Sequence, residues 1–288
     1  MSKIKIITDS ASDINLETAK KLDIKVIGFP ITLDGKSLRE GVDFTTDEFY
    51  NLLDNANEFP STSQITFLEF VDAYKEVYDQ GYSDLIYVSI SSTGSNTHNN
   101  AHMAVDKFFE EYPEAEGKMN IHIVDSLNYS GAYGYPILQA ALKIQKNQDL
   151  DEILSYLEDW FKKVELYFAS YTLKYLKRSG RVSAVAAFAG EVLGLKPIIS
   201  MAQGKSTVME KIRGEKNIIP KIIETAQRNM IPHSPYCILS GSLECETQSM
   251  IKEITAKLGY PPEEVYKVGA TISCHAGHQI IGIIIKSM

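Results

Sequence analysis

The sequence predicts an α/β protein of two domains, and three observations carry that expectation. Short β-branched or aromatic runs (Ile4 to Ile7, Ile24 to Phe29, Leu85 to Ile90, Ile121 to Val124) alternate with stretches whose apolar residues recur at helical spacing. That alternation belongs to a mostly parallel sheet flanked by helices. Beyond residue 163 hairpin signals appear, which point to a second, mixed α/β unit. A chain of 288 residues suits two domains, and 44% hydrophobic residues supply a core for both. The break is expected near Phe161 to Glu165, giving domains 1–163 and 164–288.

The first unit opens with Ile4, Ile6 and Ile7 running into Thr8-Asp9-Ser10, and Asp13 reads as the cap of a helix over Leu16 to Leu22. Ile24 to Phe29 is the second strand. Asp34-Gly35 between Ile31, Leu33 and Leu38 signals a hairpin within Pro30 to Gly41. A helix over Thr46 to Leu53 follows. In Ser61-Thr62-Ser63-Gln64, one hydroxyl is expected to cap the helix carrying Phe67, Phe70, Val71 and Tyr74.

Leu85 to Ile90 is a buried strand, and Ala101, Ala104, Val105 and Phe108 mark the helix after it. Between them lies Ser91-Ser92-Thr93-Gly94-Ser95-Asn96-Thr97, with Ser95, Asn96 or Thr97 as candidate cap. Hydroxyls at a helix N-terminus, with its unpaired N–H groups and positive dipole end, suit an anionic head group. In a parallel sheet, this loop and the Thr62 loop are expected to meet at the carboxyl ends of neighbouring strands. Asp125-Ser126 ends the next strand as Asp9-Ser10 ends the first, and Asp125 either ties loops together through backbone N–H groups or meets ligand. Helices over Ala132 to Ile144 and Asp151 to Phe161 complete the unit.

The second unit starts with the strand Val164 to Tyr171. Thr172 caps and Gly180 closes a short helix, which fixes Arg181 at a corner. Ala184 to Leu195, with Phe188 and Glu191, reads as a helix rich in small residues. Pro197 to Met201 and Ser206 to Ile212 form a hairpin about Gln203-Gly204 that delivers Arg213-Gly214. Helices over Asn217 to Asn229 and Glu246 to Leu258 flank the strand Tyr236 to Ser240. Strands Glu264 to Ile272 and Gln279 to Ile285 enclose Ser273 to His278.

Composition narrows the partners. The net charge of −8 repels phosphodiester backbones and anionic lipid surfaces, so nucleic acid is not expected. No apolar run reaches the roughly 18 residues a membrane span needs, and Met1-Ser2-Lys3-Ile4 leads straight into a strand, so a cytoplasmic protein is expected. Cys237, Cys245 and Cys274 fit neither a disulfide framework nor a thiolate cage. His98 and His102 have metal-ligand spacing, but no third ligand stands nearby and no metal is expected.

These motifs together resemble the DegV family of bacterial fatty-acid-binding proteins. The resemblance runs through Thr8-Asp9-Ser10, Thr62-Ser63-Gln64, Ser89 to Ser92 with Ser95 and Thr97, and Val124-Asp125-Ser126. It continues in Leu173, Tyr175-Leu176, Ser179-Gly180-Arg181, Lys196-Pro197, Arg213-Gly214 and His275-Ala276-Gly277. It implies a long-chain fatty acid in an apolar tunnel between two α/β domains, its carboxylate on the hydroxyls of Thr62, Ser63, Ser91, Ser92 and Ser95 beside His275. Arg181, Arg213 and Gly277 are then head-group or partner contacts, and a separate fatty acid kinase subunit becomes a partner that would make an acyl phosphate, a step toward phospholipid precursors. No further cofactor and no catalysis by this chain are implied.

The chain departs from the family pattern at Thr93, Gly94 and Asn96, at Ser179, and at His278 and Gln279. Burying a tail of ~14 methylenes is worth on the order of 11 kcal/mol before ordering costs, against roughly 1.5 to 3 for each head-group hydrogen bond. Affinity is therefore expected from the tail and orientation from the head. Two other readings are a serine hydrolase built from a serine with His275 and Asp125, which lacks the Gly-x-Ser-x-Gly elbow, and a binder of small phosphorylated ligands.

Overall fold

Ile4–Asp9 (β1) and Asp84–Ser89 (β6) are buried along their whole length, which requires a sheet covered on both faces. The computed structural model describes residues 3–186 and 194–288. In chain order the first half holds β1, α1 (Leu16–Lys21), β2 (Ile24–Ile27), β3 (Pro30–Leu33), β4 (Lys36–Arg39), α2 (Thr46–Asp54), β5 (Ser61–Thr62), α3 (Phe67–Asp79), β6, α4 (Thr97–Glu111), β7 (Asn120–Asp125), α5 (Gly131–Gln145) and α6 (Leu150–Lys163). The second half holds β8 (Val164–Ser170), α7 (Lys174–Ser179), α8 (Ser183–Ala186), β9 (Leu195–Ala202), β10 (Lys205–Arg213), α9 (Ile218–Asn229), β11 (Tyr236–Ser240), α10 (Glu244–Leu258), β12 (Glu264–Lys267), α11 (Ala270–Ala276) and β13 (Ile280–Lys286).

The first sheet is all parallel, in the order β2-β1-β6-β7. The second has six strands, β10-β9-β8-β13-β11-β12, antiparallel except for the β11–β12 pair. A small antiparallel sheet, β4-β3-β5, is turned at Asp34-Gly35, where φ of +47° and +72° gives the twist a two-residue hairpin needs. Strand alternation divides the six-stranded sheet between two cores. Leu166, Phe168, Ile280 and Ile284 join the large core that also holds β1 and β6, whereas Tyr167, Ala169, Ile281 and Ile283 pack with Ile222, Ile223 and Met250 of α9 and α10.

Several local expectations are corrected. Asn15, not Asp13, caps α1, accepting from the amides of Glu17 and Thr18. Asp13 instead adopts φ +54° and turns its carboxylate inward. Thr66, not a residue of 61–63, caps α3 through a capping box with Glu69. Asn96 is the N-cap of α4 by position, with no side-chain cap bond. Leu173 likewise stands at the N-cap of α7; Thr172 accepts only from Lys174 N, at 3.3 Å, and Gly180 closes the helix at φ +66°. The Thr62 loop is not a neighbour in the parallel sheet, since β5 pairs with β3. Of the helix expected from Ala184 to Leu195, the part to Ala186 is helical and Leu195 begins β9; Phe188 and Glu191 lie outside the described residues.

The largest correction falls at the end of the chain. The strand from Glu264 stops at Lys267, and Ala270–Ala276 is a helix. Two acids from distant turns induce it. Glu40 accepts from the amides of Ala270 and Thr271 and, at 2.5 Å, from the Thr271 hydroxyl; Asp13 accepts from Gly269 N at 2.8 Å. These bonds satisfy the free N–H groups of a helix start, and no local pattern of residues announces them.

Candidate functional site

The loop leaving β6 is held from both sides. Asp9 ends β1, Asp125 ends β7, and both strands pair with β6. Asp9 accepts from Ile90 N at 2.9 Å and Asp125 from Ser92 N at 3.1 Å. Asp125 also takes Leu127 N at 2.9 Å, the loop-tying role, and does not meet His275 in a hydrolase arrangement. Asp9 is wholly buried, with the hydroxyls of Tyr133 at 2.6 Å and Tyr87 at 3.0 Å donating to it. Burial pushes its carboxyl up to about 6 despite those donors.

This loop and the Thr62 loop meet through α4. Thr97 Oγ1 accepts from Ile65 N at 3.2 Å, and Asn100 Nδ2 donates to Ile65 O at 2.7 Å. From the second half, Arg181 Nε donates to Gly94 O and Thr93 Oγ1 to Gly204 O, each at 3.0 Å. The helix α11 brings His275 to Thr62, whose Oγ1 is 2.9 Å from Nε2 of the imidazole. Burial first and the Arg181 guanidinium second push His275 down to about 4, so it is neutral at neutral pH and acts as a hydrogen-bonding group.

Around this junction lies a cavity of about 410 Å³, within the usual range for small-molecule sites. Thr62, Ser63, Gln64, Ser95, Asn96, Ser130, Arg181, Thr271 and His275 give it polar groups. Leu166, Phe168, Met201, Leu239 and Ile280 give it an apolar wall from the six-stranded sheet, joined by Phe29 and Ile90 from the loops after β2 and β6. Such a space can hold a molecule with one polar end and a long apolar body.

Five of the nine residues singled out in the sequence therefore line one cavity: Thr62, Ser63, Ser95, Arg181 and His275. The other four do not. Ser91 is fully buried, its hydroxyl 2.8 Å from that of Thr93. Ser92 is held by its backbone to Asp125. Arg213 sits exposed at the end of β10, opposite Leu195. Gly277 closes α11 at φ +76°, where a side chain would press on the Tyr175 ring. Sequence reasoning passed over Tyr129, Ser130 and Thr271 as cavity residues, and Asp13 and Glu40 as the groups that place α11. Their partners lie up to 256 residues away.

Among the described residues no group of three or more His, Cys, Asp or Glu could hold a metal ion. His98 and His102 have ring centroids 4.7 Å apart, and His98 Nδ1 lies 2.9 Å from Ser89 Oγ. Among the same residues no helix is long and apolar enough to cross a membrane.

Comparison with known proteins matches residues 3–287 to the model of the DegV family, described as uncharacterised proteins. A DegV domain-containing protein of Clostridium perfringens is 30% identical over 284 residues, covering 96% of this chain and 95% of that one. A stearic-acid-binding protein from Eubacterium ventriosum superposes with a TM-score of 0.88 at 25% identity, over 99% of this chain and 98% of its own. DegV, a fatty acid binding protein from Bacillus subtilis, gives 0.82 at 28% identity over the whole of both chains. The chain belongs to the DegV family.

Proposed function

We propose that this protein binds a long-chain fatty acid in this cavity, with domains 1–163 and 164–288 forming its two walls. The carrying observation is one cavity in which a hydroxyl, an imidazole and a guanidinium converge beside an apolar wall from the six-stranded sheet. Solved relatives that superpose on the whole chain are named for fatty acid binding, which supports this reading. Thr62, Ser63 and Ser95, with His275 and Arg181, hold the carboxylate. Ser91 and Ser92 shape the loop that presents Ser95. The apolar wall takes the tail in a tunnel.

The chain then acts as a cytoplasmic lipid-binding protein without catalysis of its own on that lipid, and presents the acid to a separate kinase for acyl-phosphate formation. Arg213 and Gly277, outside the cavity, belong to that partner's contact surface. Native mass spectrometry of the purified protein tests the reading. A retained mass matching a C14 to C20 acid, exchangeable for added stearate, is expected. A protein that takes up no long-chain acid after delipidation would overturn it.

A further inference from the structure

Outside the lipid cavity, His278 sits in a constellation of its own. It is only 5% exposed, and its ring stacks on Tyr50 with centroids 4.8 Å apart. Both ring nitrogens are engaged: Nε2 lies 2.7 Å from Asp54 Oδ1 and Nδ1 lies 2.7 Å from Ser242 Oγ. A carboxylate only accepts, so in the neutral ring the proton sits on Nε2 and the bare Nδ1 accepts from the serine hydroxyl. That is the order of nucleophile, base and orienting acid that activates serine, with the two ring nitrogens exchanged relative to serine proteases.

The backbone builds the pairing. Gly241 N donates to Ile280 O at 3.0 Å and Ser242 N to His278 O at 2.8 Å. A Cβ at position 241 would stand 1.8 Å from the His278 carbonyl oxygen, so only glycine lets the two segments close. Ser242 is exposed and stands just before the 15-residue helix α10, which has no side-chain cap bond. The first turn of that helix also carries Glu244 and Glu246, so the Ser242, His278 and Asp54 contacts alone carry the proposal. None of the three residues is among those lining the lipid cavity.

We propose that Ser242, with His278 as base and Asp54 as positioning residue, accepts acyl groups from small activated carboxylic esters. The Ser242 oxygen attacks the ester carbonyl while its proton passes to Nδ1 of His278. The carbon–oxygen bond to the leaving group breaks, and the departing alkoxide or phenoxide takes that proton. Water then attacks the acyl-serine, giving its proton through His278 back to Ser242 and releasing the acid. This activity is independent of the fatty-acid reading.

A fluorophosphonate probe tests it directly, since a Ser242 Oγ–P bond forms as fluoride leaves and His278 takes the proton. Peptide mass spectrometry is expected to place the label on Ser242. Ser242→Ala abolishes labelling, and His278→Gln slows it about 100-fold, as loss of a general base does. Asp54→Asn slows it less, and Asp54→Glu restores part of the rate. Hydrolysis of p-nitrophenyl acetate follows the same order. Circular dichroism and urea unfolding check that each variant is folded. Labelling at Ser242 no faster in the native protein than in His278→Gln, or label on another residue, overturns the proposal.

Discussion

Thr62 and His275 stand 213 residues apart in the chain, and the hydroxyl of one lies 2.9 Å from Nε2 of the other. The pair joins the edge of the small sheet to the last helix, and its position in the cavity wall makes it the polar end of the site. Thr62→Val keeps the shape and removes the hydroxyl. Stearate affinity, measured by calorimetry on delipidated protein, is expected to fall about tenfold, one charged hydrogen bond's worth. Ser91→Ala, whose hydroxyl turns to Thr93, is expected to change affinity less than twofold.

Proton uptake reports on the same imidazole. Its protonation lies pushed down to about 4 by burial and by Arg181. A carboxylate bound beside it adds an opposite charge, which raises it, at about 1.4 kcal/mol per pH unit. Binding is therefore expected to take up a fraction of a proton between pH 5 and 7 and to tighten as pH falls. Calorimetry in two buffers of different ionisation enthalpy measures this, and His275→Gln removes it.

Asp9 gives the folded protein an acid-side stability term. Burial raises its carboxyl from 3.8 to about 6, so the folded form binds its proton more tightly than the unfolded chain. The stabilisation is complete below about pH 4 and is lost as pH rises through 6, on the order of 3 kcal/mol in all. His275 works in the opposite sense, losing stability as pH falls from its ordinary value toward 4. Comparing native protein with Asp9→Asn isolates the first effect. Its stability advantage in urea unfolding is expected to be larger at pH 5 than at pH 8.

Glu40 controls the helix that carries His275. Glu40→Ala leaves Ala270 N, Thr271 N and the hydroxyls of Thr271 and Ser10 without their acceptor. A loss of about 3 kcal/mol or more in urea unfolding is expected, with weaker stearate binding. Glu40→Gln keeps one acceptor oxygen and is expected to retain most of both.

Filling the apolar wall should discriminate by tail length. Leu239 lines the cavity from β11, and Leu239→Trp is expected to weaken stearate more than a twelve-carbon acid. Equal loss for both acids would place the tail elsewhere.

What the sequence made legible follows from the range of the interactions. Both large sheets, the Asp34-Gly35 and Gln203-Gly204 turns and the polar loop after β6 could be read because period, turn residues and hydroxyl density are local signals. The helix α11 could not, because Glu40 and Asp13 cap it from more than 200 residues away. Thr62 and His275 were named through resemblance, and only the packing of β5 against α11 brings them together. Ser92 and Arg213 had the right chemistry for a head group, yet one is engaged through its backbone and the other stands at an exposed strand end. The Ser242, His278 and Asp54 grouping crosses three elements, and spacing gave no sign of it.

Difference electron density of the protein co-crystallised with stearate tests the central claim most directly. The account predicts a carboxylate within hydrogen-bonding distance of Thr62 Oγ1 and His275, with continuous tail density along Phe168, Met201 and Leu239. A tail methyl at Thr62, or lipid density only outside this cavity, would contradict it.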